Sequence, residues 1–274
     1  MIVVSHIREA ILSSEKLENN PFVTGENLAR KATLSGSNVL DNGARENAVT
    51  GTTADYWRPT VSGAIRSLVL DFGEVIGAQF AAVAAHNLGT LGARVRVQHS
   101  PDSTTWTTAG NFSPESDNPI AFRFLFTERR YWRLIITDHA ITEAVSVGVF
   151  YLGNEIVCPA RTYQGFRPVI TPTNVRLQSN VSQGGNLLGS SVVQEGSSVR
   201  LALEHIPATF IRSAEWVDFQ RGFNRGRPAF FAWRPSKYPQ DLHYVWRDGG
   251  VIEPDNTGPL DLMSFQMDAR AYDG

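Results

Sequence analysis

Short runs of β-branched and aromatic residues recur along the first half of the chain, and turn-forming clusters separate them. In one run Val95 and Val97 alternate with Arg94 and Arg96, which is the period of a strand with one buried face. This pattern predicts strands at 65–71, 79–85, 93–99, 121–126, 131–137 and 145–152. Because no long amphipathic helices lie between these strands, we expect a β-sandwich rather than repeated βαβ units.

The pattern of strands relaxes near residue 154, which indicates a boundary between two units. Pro159, Pro168 and Pro172 follow the boundary, and proline is a poor residue for a central strand. We therefore divide the chain into an N-terminal segment (1–37), a first sandwich (38–155) and a second unit (160–274).

The second unit is also predicted to be mostly β-structure. One short helix is expected at 214–221, with Ser213 as its N-cap and Gly222 directly after its last turn. In the last strand the hydrophobic phase changes, which predicts a β-bulge near Leu262–Met263. The predicted fold class is therefore all-β, with two sandwiches and one short helix. The strands of the second unit are predicted at 174–181, 199–203, 229–233, 242–246 and 260–267.

The composition is that of a folded protein without a strong charge. Of the 274 residues, 42% are hydrophobic, and 25 basic against 27 acidic residues give a net charge of −2. Such a chain has no overall field to attract nucleic acid or an anionic membrane. No run approaches the roughly 18 apolar residues of a transmembrane helix. We expect neither nucleic-acid binding nor membrane insertion.

The single cysteine and the first residues of the chain bear on where the protein is made. Cys158 alone excludes an internal disulfide and a cysteine-based zinc site. Residues 1–12 lack the basic region and the cleavage site of a signal peptide. We expect synthesis in the host cytoplasm without a secretion signal.

Residues 38–155 carry four motifs in an order that resembles a discoidin-like (coagulation factor type C) domain. They are DYWRP at 55–59, LDFG at 70–73, VQHSPDSTTW at 97–106 and RYWRLII at 130–136. The resemblance implies a galactose-binding-like jelly roll for the first sandwich. No glycine follows Asp102 and no cysteine pair brackets the region, so an extracellular coagulation-type protein is not expected.

Residues 213–272 are similar in the order of their features to a small β-sandwich of tailed-phage minor tail and distal tail proteins. The shared features are a short helix, an Arg/Gly stretch, aromatic strands and a final amphipathic strand. This resemblance implies a structural virion protein of the tail tip, assembled with other tail proteins and with itself as a symmetric ring or trimer. The alternative is a bacterial lectin or carbohydrate-binding module that is not part of a virion.

The sequence shows no catalytic constellation, and we expect no enzyme activity. The six histidines have none of the spacings typical of metal clusters. No serine lies in a Gly-x-Ser-x-Gly motif, and the paired carboxylates in polar loops are expected to face water. A glycan-active enzyme is the weakest of the three hypotheses, and no cofactor is predicted.

Sugar contacts, if the first sandwich makes them, are predicted on its loops. The candidates are Tyr56, Trp57, His86 and Asn87, because sugars stack on aromatic faces and their hydroxyls need a few polar partners. Two structural alternatives stand beside this hypothesis. Trp57 can be a core residue, and the His86–Asn87 pair can simply form a turn.

The discoidin-like resemblance also implies a place for a structural calcium ion. Members of that family hold calcium in the loop before the aromatic residue, through carbonyl and carboxylate oxygens. In this sequence the candidate ligands are Asp41 and Asp55.

Aromatic residues are dense between positions 230 and 246, and this density predicts an oligomer interface. Adjacent residues of a strand point to opposite faces, so Phe230 or Phe231 should reach a second apolar environment. A monomer would leave such a patch in water, which marks an interface. The interface candidates are Phe230, Phe231, Trp233, Tyr244 and Trp246.

Overall fold

The computed structural model describes residues 2–5, 19–60, 65–138, 143–160, 166–169, 171–257 and 260–272, and β-strands dominate in them. The strands in chain order are β1 (Ile2–Ser5), β2 (Phe22–Thr24), β3 (Thr33–Gly36), β4 (Arg66–His86), β5 (Arg94–Ser100), β6 (Thr107–Phe112), β7 (Ile120–Thr137), β8 (Val147–Gly153), β9 (Glu155–Val157), β10 (Arg176–Val181), β11 (Leu187–Gln194), β12 (Ser197–Pro207), β13 (Ala229–Ala232), β14 (Leu242–Arg247), β15 (Asp255–Asn256) and β16 (Leu262–Ala271). The helices are α1 (Asn47–Thr50), α2 (Ala208–Ile211) and α3 (Ala214–Asn224), with a 3-10 turn at Leu28–Lys31. None of the helices in the described ranges has the length and apolarity needed to cross a bilayer.

The first sheet curls into a sandwich because its two longest strands, β4 and β7, are paired with each other and bend together. Its order is β3-β4-β7-β5-β6, with β1 added to β7 and β8 added to β4. The register of β4 against β7 shifts between Asp71 and Ile76, where Gly73 takes a positive φ of 73°. Before the shift β4 pairs with β3, and after it β4 pairs with β8. The two parts of the curled sheet enclose one hydrophobic core.

Alternate residues of β4 lie in two different cores. Ala81 and Val83 face the interior of the sandwich, whereas Phe80 and Ala82 face outward into an apolar cluster shared with the second sheet. Both faces of the C-terminal part of β4 are therefore buried, which explains the continuous apolar run at 80–85.

The second sheet has the strand order β12-β16-β14-β13-β2-β9, and β15 pairs with β16. Helix α3 covers one face with Trp216, Phe219 and Phe223, which are all buried. The opposite face meets the outer face of the first sheet. The prediction of an all-β fold, with a jelly-roll sandwich followed by a second β-rich unit carrying a short helix, is confirmed.

Helix α3 begins as predicted and ends later than predicted. The Ser213 hydroxyl accepts a hydrogen bond of 3.3 Å from the Trp216 amide and caps the N-terminus. The helix continues to Asn224, so Gly222 lies inside it. A Cβ at Gly222 would approach the Arg227 guanidinium carbon to 2.2 Å, and glycine at this position therefore makes room for that side chain.

Strands from the N-terminal segment enter both sheets. β1 pairs in parallel with β7, and β3 pairs with β4, whereas β2 lies between β13 and β9 in the second sheet. β9 falls at the end of the predicted first sandwich but hydrogen-bonds with β2. The division at 37, 155 and 160 stays a prediction.

The irregularity predicted in the last strand lies on its partner strand instead. The register between β12 and β16 shifts between Leu203 and Ile206, and His205 takes a positive φ of 58°. The extra residue therefore belongs to β12. The placement of a bulge at Leu262–Met263 was wrong, because the phase change in β16 is accommodated by its neighbour.

Phe230 and Phe231 do point to opposite faces, but both faces are covered by the same chain. Phe231 packs in the core under α3, and Phe230 packs between the two sheets. The Phe230 ring centroid lies 6.5 Å from that of Phe80, 6.0 Å from that of Tyr151 and 4.9 Å from that of Tyr244. The second apolar environment of this strand is therefore the first sheet of the same molecule.

The remaining aromatic residues of this region are also occupied within the chain. Trp233 stacks on Phe166 with a centroid distance of 4.4 Å and on Tyr238 at 5.4 Å. Trp246 is half-buried on β14. Phe230, Phe231 and Tyr244 are thus buried within one chain, whereas Trp233 and Trp246 are half-buried. The assignment of this set to a subunit interface stays a prediction. Oligomerisation itself stays a prediction.

Candidate functional site

Two loops at one end of the first sandwich are tied together by a single carboxylate. One loop follows β4, and the other joins β6 to β7. Asp117 accepts hydrogen bonds from the Gly89 amide (2.8 Å), the Thr90 amide (2.9 Å) and the Thr90 hydroxyl (2.6 Å). A Cβ at Gly89 would lie 2.3 Å from the Ser116 carbonyl carbon, so only glycine permits this close approach. This end of the sandwich is therefore rigidly built.

His86 closes the first of these loops from inside. It is buried, and its Nδ1 accepts a hydrogen bond of 3.2 Å from the Leu88 amide. Burial lowers the pKa of His86 to about 4, so the ring is neutral at pH 7. This arrangement matches the turn hypothesis for His86, and a buried ring does not present a face to a sugar.

Asn87 uses its side-chain amide to hold a neighbouring segment. Its Nδ2 donates to the Ala144 carbonyl at 2.9 Å, and its Oδ1 accepts from the Ser146 amide at 2.8 Å. Both ends of the amide are therefore bonded to backbone. Asn87 thus connects the turn after β4 to the segment before β8, and its role as a sugar contact stays a prediction.

The two aromatic candidates have different environments. Trp57 is fully buried in the first core, and its backbone bridges to Val147. Tyr56 is half-buried, and the Arg58 guanidinium carbon lies 5.3 Å from its ring centroid. Tyr56 and Asn87 are therefore the half-buried members of the four sugar-contact candidates, whereas His86 is buried and Trp57 is a core residue.

The carboxylates predicted for calcium lie on the surface. Asp41 and Asp55 are exposed, and Asp55 accepts a hydrogen bond of 3.4 Å from the Thr52 hydroxyl. The residues that the structure describes contain no group of three or more histidine, cysteine, aspartate or glutamate side chains able to share a metal ion. A calcium ion in this loop would therefore depend on backbone carbonyl oxygens.

A cleft of about 320 Å³ opens beside the loop that joins β6 to β7. Its polar side chains come from two distant parts of the sequence, since Glu115 and Asn118 belong to the first sandwich and Gln240 to the β13–β14 turn. Phe112 packs against the core and also lines the cleft. The full lining is Phe112, Pro114, Glu115, Ser116, Asn118, Ile120 and Gln240.

Glu115, Asn118 and Gln240 supply the polar groups of this cleft that a ligand can reach. Asn118 donates to the Ser116 hydroxyl at 3.1 Å and keeps its amide oxygen. Within the described residues, the Glu115 carboxylate accepts no hydrogen bond and the Gln240 amide neither donates nor accepts one. Gln240 could not be identified from the sequence, because no local pattern marks it and its neighbours in the cleft lie more than a hundred positions away.

A larger concavity of about 610 Å³ lies on the second sheet, and several of its polar groups are paired with one another. Arg200 bonds to Asp268 at 2.7 Å, and Asn174 donates to Ser198 at 2.6 Å. It has no aromatic lining residue. The smaller cleft therefore combines an apolar wall with free polar groups, as ligand sites do.

Among the solved structures similar to part of this chain are two carbohydrate-binding modules. No family model matches the sequence, and no curated protein matches it. A chitosan-binding module of a chitosanase/glucanase from Paenibacillus sp. IK-5 is 17% identical, with a TM-score of 0.43 over 47% of this chain and 99% of that chain. The module CpGH89CBM32-5 from Clostridium perfringens, solved with GalNAc-β-1,3-galactose, is 10% identical, with a TM-score of 0.41 over 47% and 99%.

Glycosidases also appear among the similar structures, but only through part of their length. The GH29 fucosidase of Ruminococcus gnavus is 14% identical, with a TM-score of 0.42, and the match covers 48% of this chain and 27% of the fucosidase.

Proposed function

We propose that this chain is a non-catalytic carbohydrate-binding protein and that the cleft lined by Phe112, Glu115, Asn118 and Gln240 is its glycan site. The observation that carries the proposal is the lining of this cleft. A sugar has apolar C–H surfaces and many hydroxyls, and the cleft offers an aromatic edge next to a carboxylate and two amides. Its volume of about 320 Å³ is at the lower end of ligand pockets and suits one or two sugar rings.

The same cleft does not favour glycoside hydrolysis. Hydrolysis of this type uses two carboxyl groups about 5–10 Å apart on either side of the bond. Glu115 is the single acidic residue among those that line the cleft. The neighbouring Asp117 has both oxygens bonded to Gly89 and Thr90. The site therefore supports binding rather than turnover.

The setting that we propose for this binding protein is the tail tip of a tailed phage, where it is a structural component of the virion. The similarity of residues 213–272 to minor and distal tail proteins supports this setting. The apolar cluster around Phe80, Tyr151 and Phe230 adds support, because it fixes the first sandwich onto the second sheet. A sandwich mounted in this way suits presentation from a particle, with host surface glycan and other tail proteins as partners.

Glycan binding is tested with the full chain on an array of bacterial surface polysaccharides, followed by calorimetry with the best ligand. We expect Gln240→Ala and Asn118→Ala each to weaken binding by about ten-fold, the loss of one good hydrogen bond. Gln178→Ala, on an exposed glutamine of the β10–β11 hairpin, is the matched control and should bind like the parent. Absence of any glycan ligand, or equal binding by all three variants, would overturn the site.

The setting is tested separately by mass spectrometry of purified particles from the producing strain. We expect the chain among the structural proteins of the tail. Its absence from the particles, with glycan binding intact, would favour the alternative of a free-standing lectin.

A further inference from the structure

Strands β10 and β11 form a ribbon that stands apart from both sheets. They pair with each other as a two-stranded sheet, and every residue of β10 is exposed. An isolated two-stranded ribbon is marginally stable in water and normally needs a third strand or an apolar cover. The ribbon is therefore a candidate for contact with something outside the chain.

One face of this ribbon carries four large apolar side chains. Leu177 pairs with Val192, and Val181 pairs with Leu187. Paired residues share a face, and positions four apart along a strand also share a face. These four residues, hereafter the apolar stripe, are exposed by 58% (Leu177), 51% (Val192), 59% (Val181) and 68% (Leu187).

The ribbon exposes further apolar residues beside the stripe. Val175, Leu188 and Val193 are exposed by 43%, 70% and 54%, but Leu188 and Val193 have no register partner and are not counted in the stripe face. The whole ribbon presents on the order of 600 Å² of apolar surface, at the upper end of what a monomer normally exposes. A stable interface buries about 800 Å² on each partner, so the stripe supplies the apolar centre of such a contact and residues around it supply the rest.

The near absence of charge on the ribbon limits the kinds of partner that it can bind. Residues 176–194 contain one charged side chain, Arg176, and none lies within the stripe. Such a surface does not suit nucleic acid or an anionic membrane, because both require clustered basic residues. A two-fold contact places the same surface against itself, and an uncharged surface can do this without like-charge repulsion.

We propose that the apolar stripe packs against the apolar stripe of a second copy of this chain in a two-fold contact. This contact uses a different part of the chain from the aromatic residues between 230 and 246. It is independent of the glycan cleft, because none of the stripe residues lines that cleft.

The first test is the mass of the full chain by light scattering over a range of concentrations. We expect a dimer for the parent and a monomer for the double variant Val181→Asp/Leu187→Asp, with a rise of at least a hundred-fold in the dissociation constant. The stripe is exposed, so the variant should keep the parent's circular dichroism. Ser191→Asp adds a charge to the opposite face of the same ribbon and should remain a dimer.

A second test measures the distance between ribbons with a spin label attached to an introduced cysteine. Cys158 is fully buried, so a nitroxide attached to Ser179→Cys, on the stripe face, reports on the ribbon alone. We expect dipolar broadening of its spectrum that disappears when Leu187→Asp is added. A parent that stays monomeric at the highest concentration, or a stripe variant that associates like the parent, would overturn the proposal. A monomer that instead floats with phosphatidylcholine vesicles would assign the stripe to lipid.

Discussion

Arg123 and Glu155 form a buried ion pair that joins the first sheet to the second. The Arg123 Nε lies 2.8 Å from one carboxylate oxygen of Glu155, and an Nη atom donates to the other oxygen at 3.0 Å. Arg123 lies on β7 and Glu155 on β9, and their side chains are only 3% and 0% exposed. The Phe22 ring covers the guanidinium, with 5.3 Å from its centroid to the guanidinium carbon. The two buried charges attract each other strongly, but removal of either one leaves the other buried without a counter-charge, which lowers the stability of the fold.

Glu155→Gln is predicted to destabilise the protein strongly. The substitution leaves the Arg123 charge buried without its counter-charge, which costs about 3–5 kcal/mol. The free energy of unfolding from urea denaturation measures this effect. Asp268→Asn, which breaks the largely exposed pair with Arg200, is the matched control and should cost no more than about 1 kcal/mol. Equal losses in the two variants would contradict the role given to the buried pair.

Phe230→Ala is predicted to weaken the junction between the sheets. Removal of a fully buried phenylalanine ring leaves a cavity between Phe80, Tyr151 and Tyr244, at a cost of about 3–5 kcal/mol. Differential scanning calorimetry should show a lower melting temperature at unchanged oligomeric mass. The control is Tyr238→Ala, because Tyr238 is exposed. Dissociation of an oligomer by Phe230→Ala, without loss of stability, would contradict this prediction and would support a subunit interface in the aromatic region.

Stability is predicted to fall between pH 6.5 and pH 4 through His86. Burial lowers the pKa of His86 from 6.5 to about 4, so in this window the unfolded chain binds a proton that the folded chain does not. The contribution is complete above pH 6.5 and is lost as the pH falls toward 4, by up to about 3 kcal/mol. His86→Asn, which keeps an acceptor for the Leu88 amide, should flatten this part of the profile. A nuclear magnetic resonance titration that places the pKa of His86 near 6.5 would contradict the prediction.

Asp117→Asn is predicted to loosen the loops beside the glycan cleft. The variant keeps one acceptor oxygen and loses charge-assisted bonds to Gly89 and Thr90, at a cost of about 1–3 kcal/mol. Amide hydrogen exchange at those two residues should become faster. Asp55→Asn alters an exposed carboxylate and should leave their exchange unchanged. Unchanged exchange in both variants would show that the loops are held by other contacts.

The local pattern of the sequence predicted the strands better than their connections. The runs at 65–71 and 79–85 are parts of one strand, β4, because the chain keeps pairing with β7 through the irregular stretch at Gly73. A turn-like local sequence does not reveal that β7 continues to pair with β4 on both sides of it. The short strands β2 and β9 were missed for the same reason, since each has three residues and its partner lies far away in sequence.

The sequence predicted where some candidate residues lie in the fold, but it did not predict which atoms their side chains contact. His86 and Asn87 were correctly placed at a strand end, but the pattern could not show that their polar atoms are used by Leu88, Ala144 and Ser146. The cleft depends on Gln240, which reaches the first sandwich only after both sheets have packed together. Tertiary packing, rather than composition, decides which polar groups remain free.

The pairing of β2 with β9 gives the chain the layout of an insertion. Thr24 is the register partner of Glu155, and the Gly25 amide donates to the Asn154 carbonyl at 3.3 Å, so the chain leaves the second sheet and returns to it at adjacent positions. A segment whose two ends are neighbours can be exchanged for another without breaking the strand pairing beneath it, provided that the new segment covers the same apolar face and supplies a partner for Glu155. Apart from the contribution of β1, residues 26–153 are thus arranged as an exchangeable cassette. Related chains could acquire a new surface specificity by replacing this cassette while keeping the sheet beneath it.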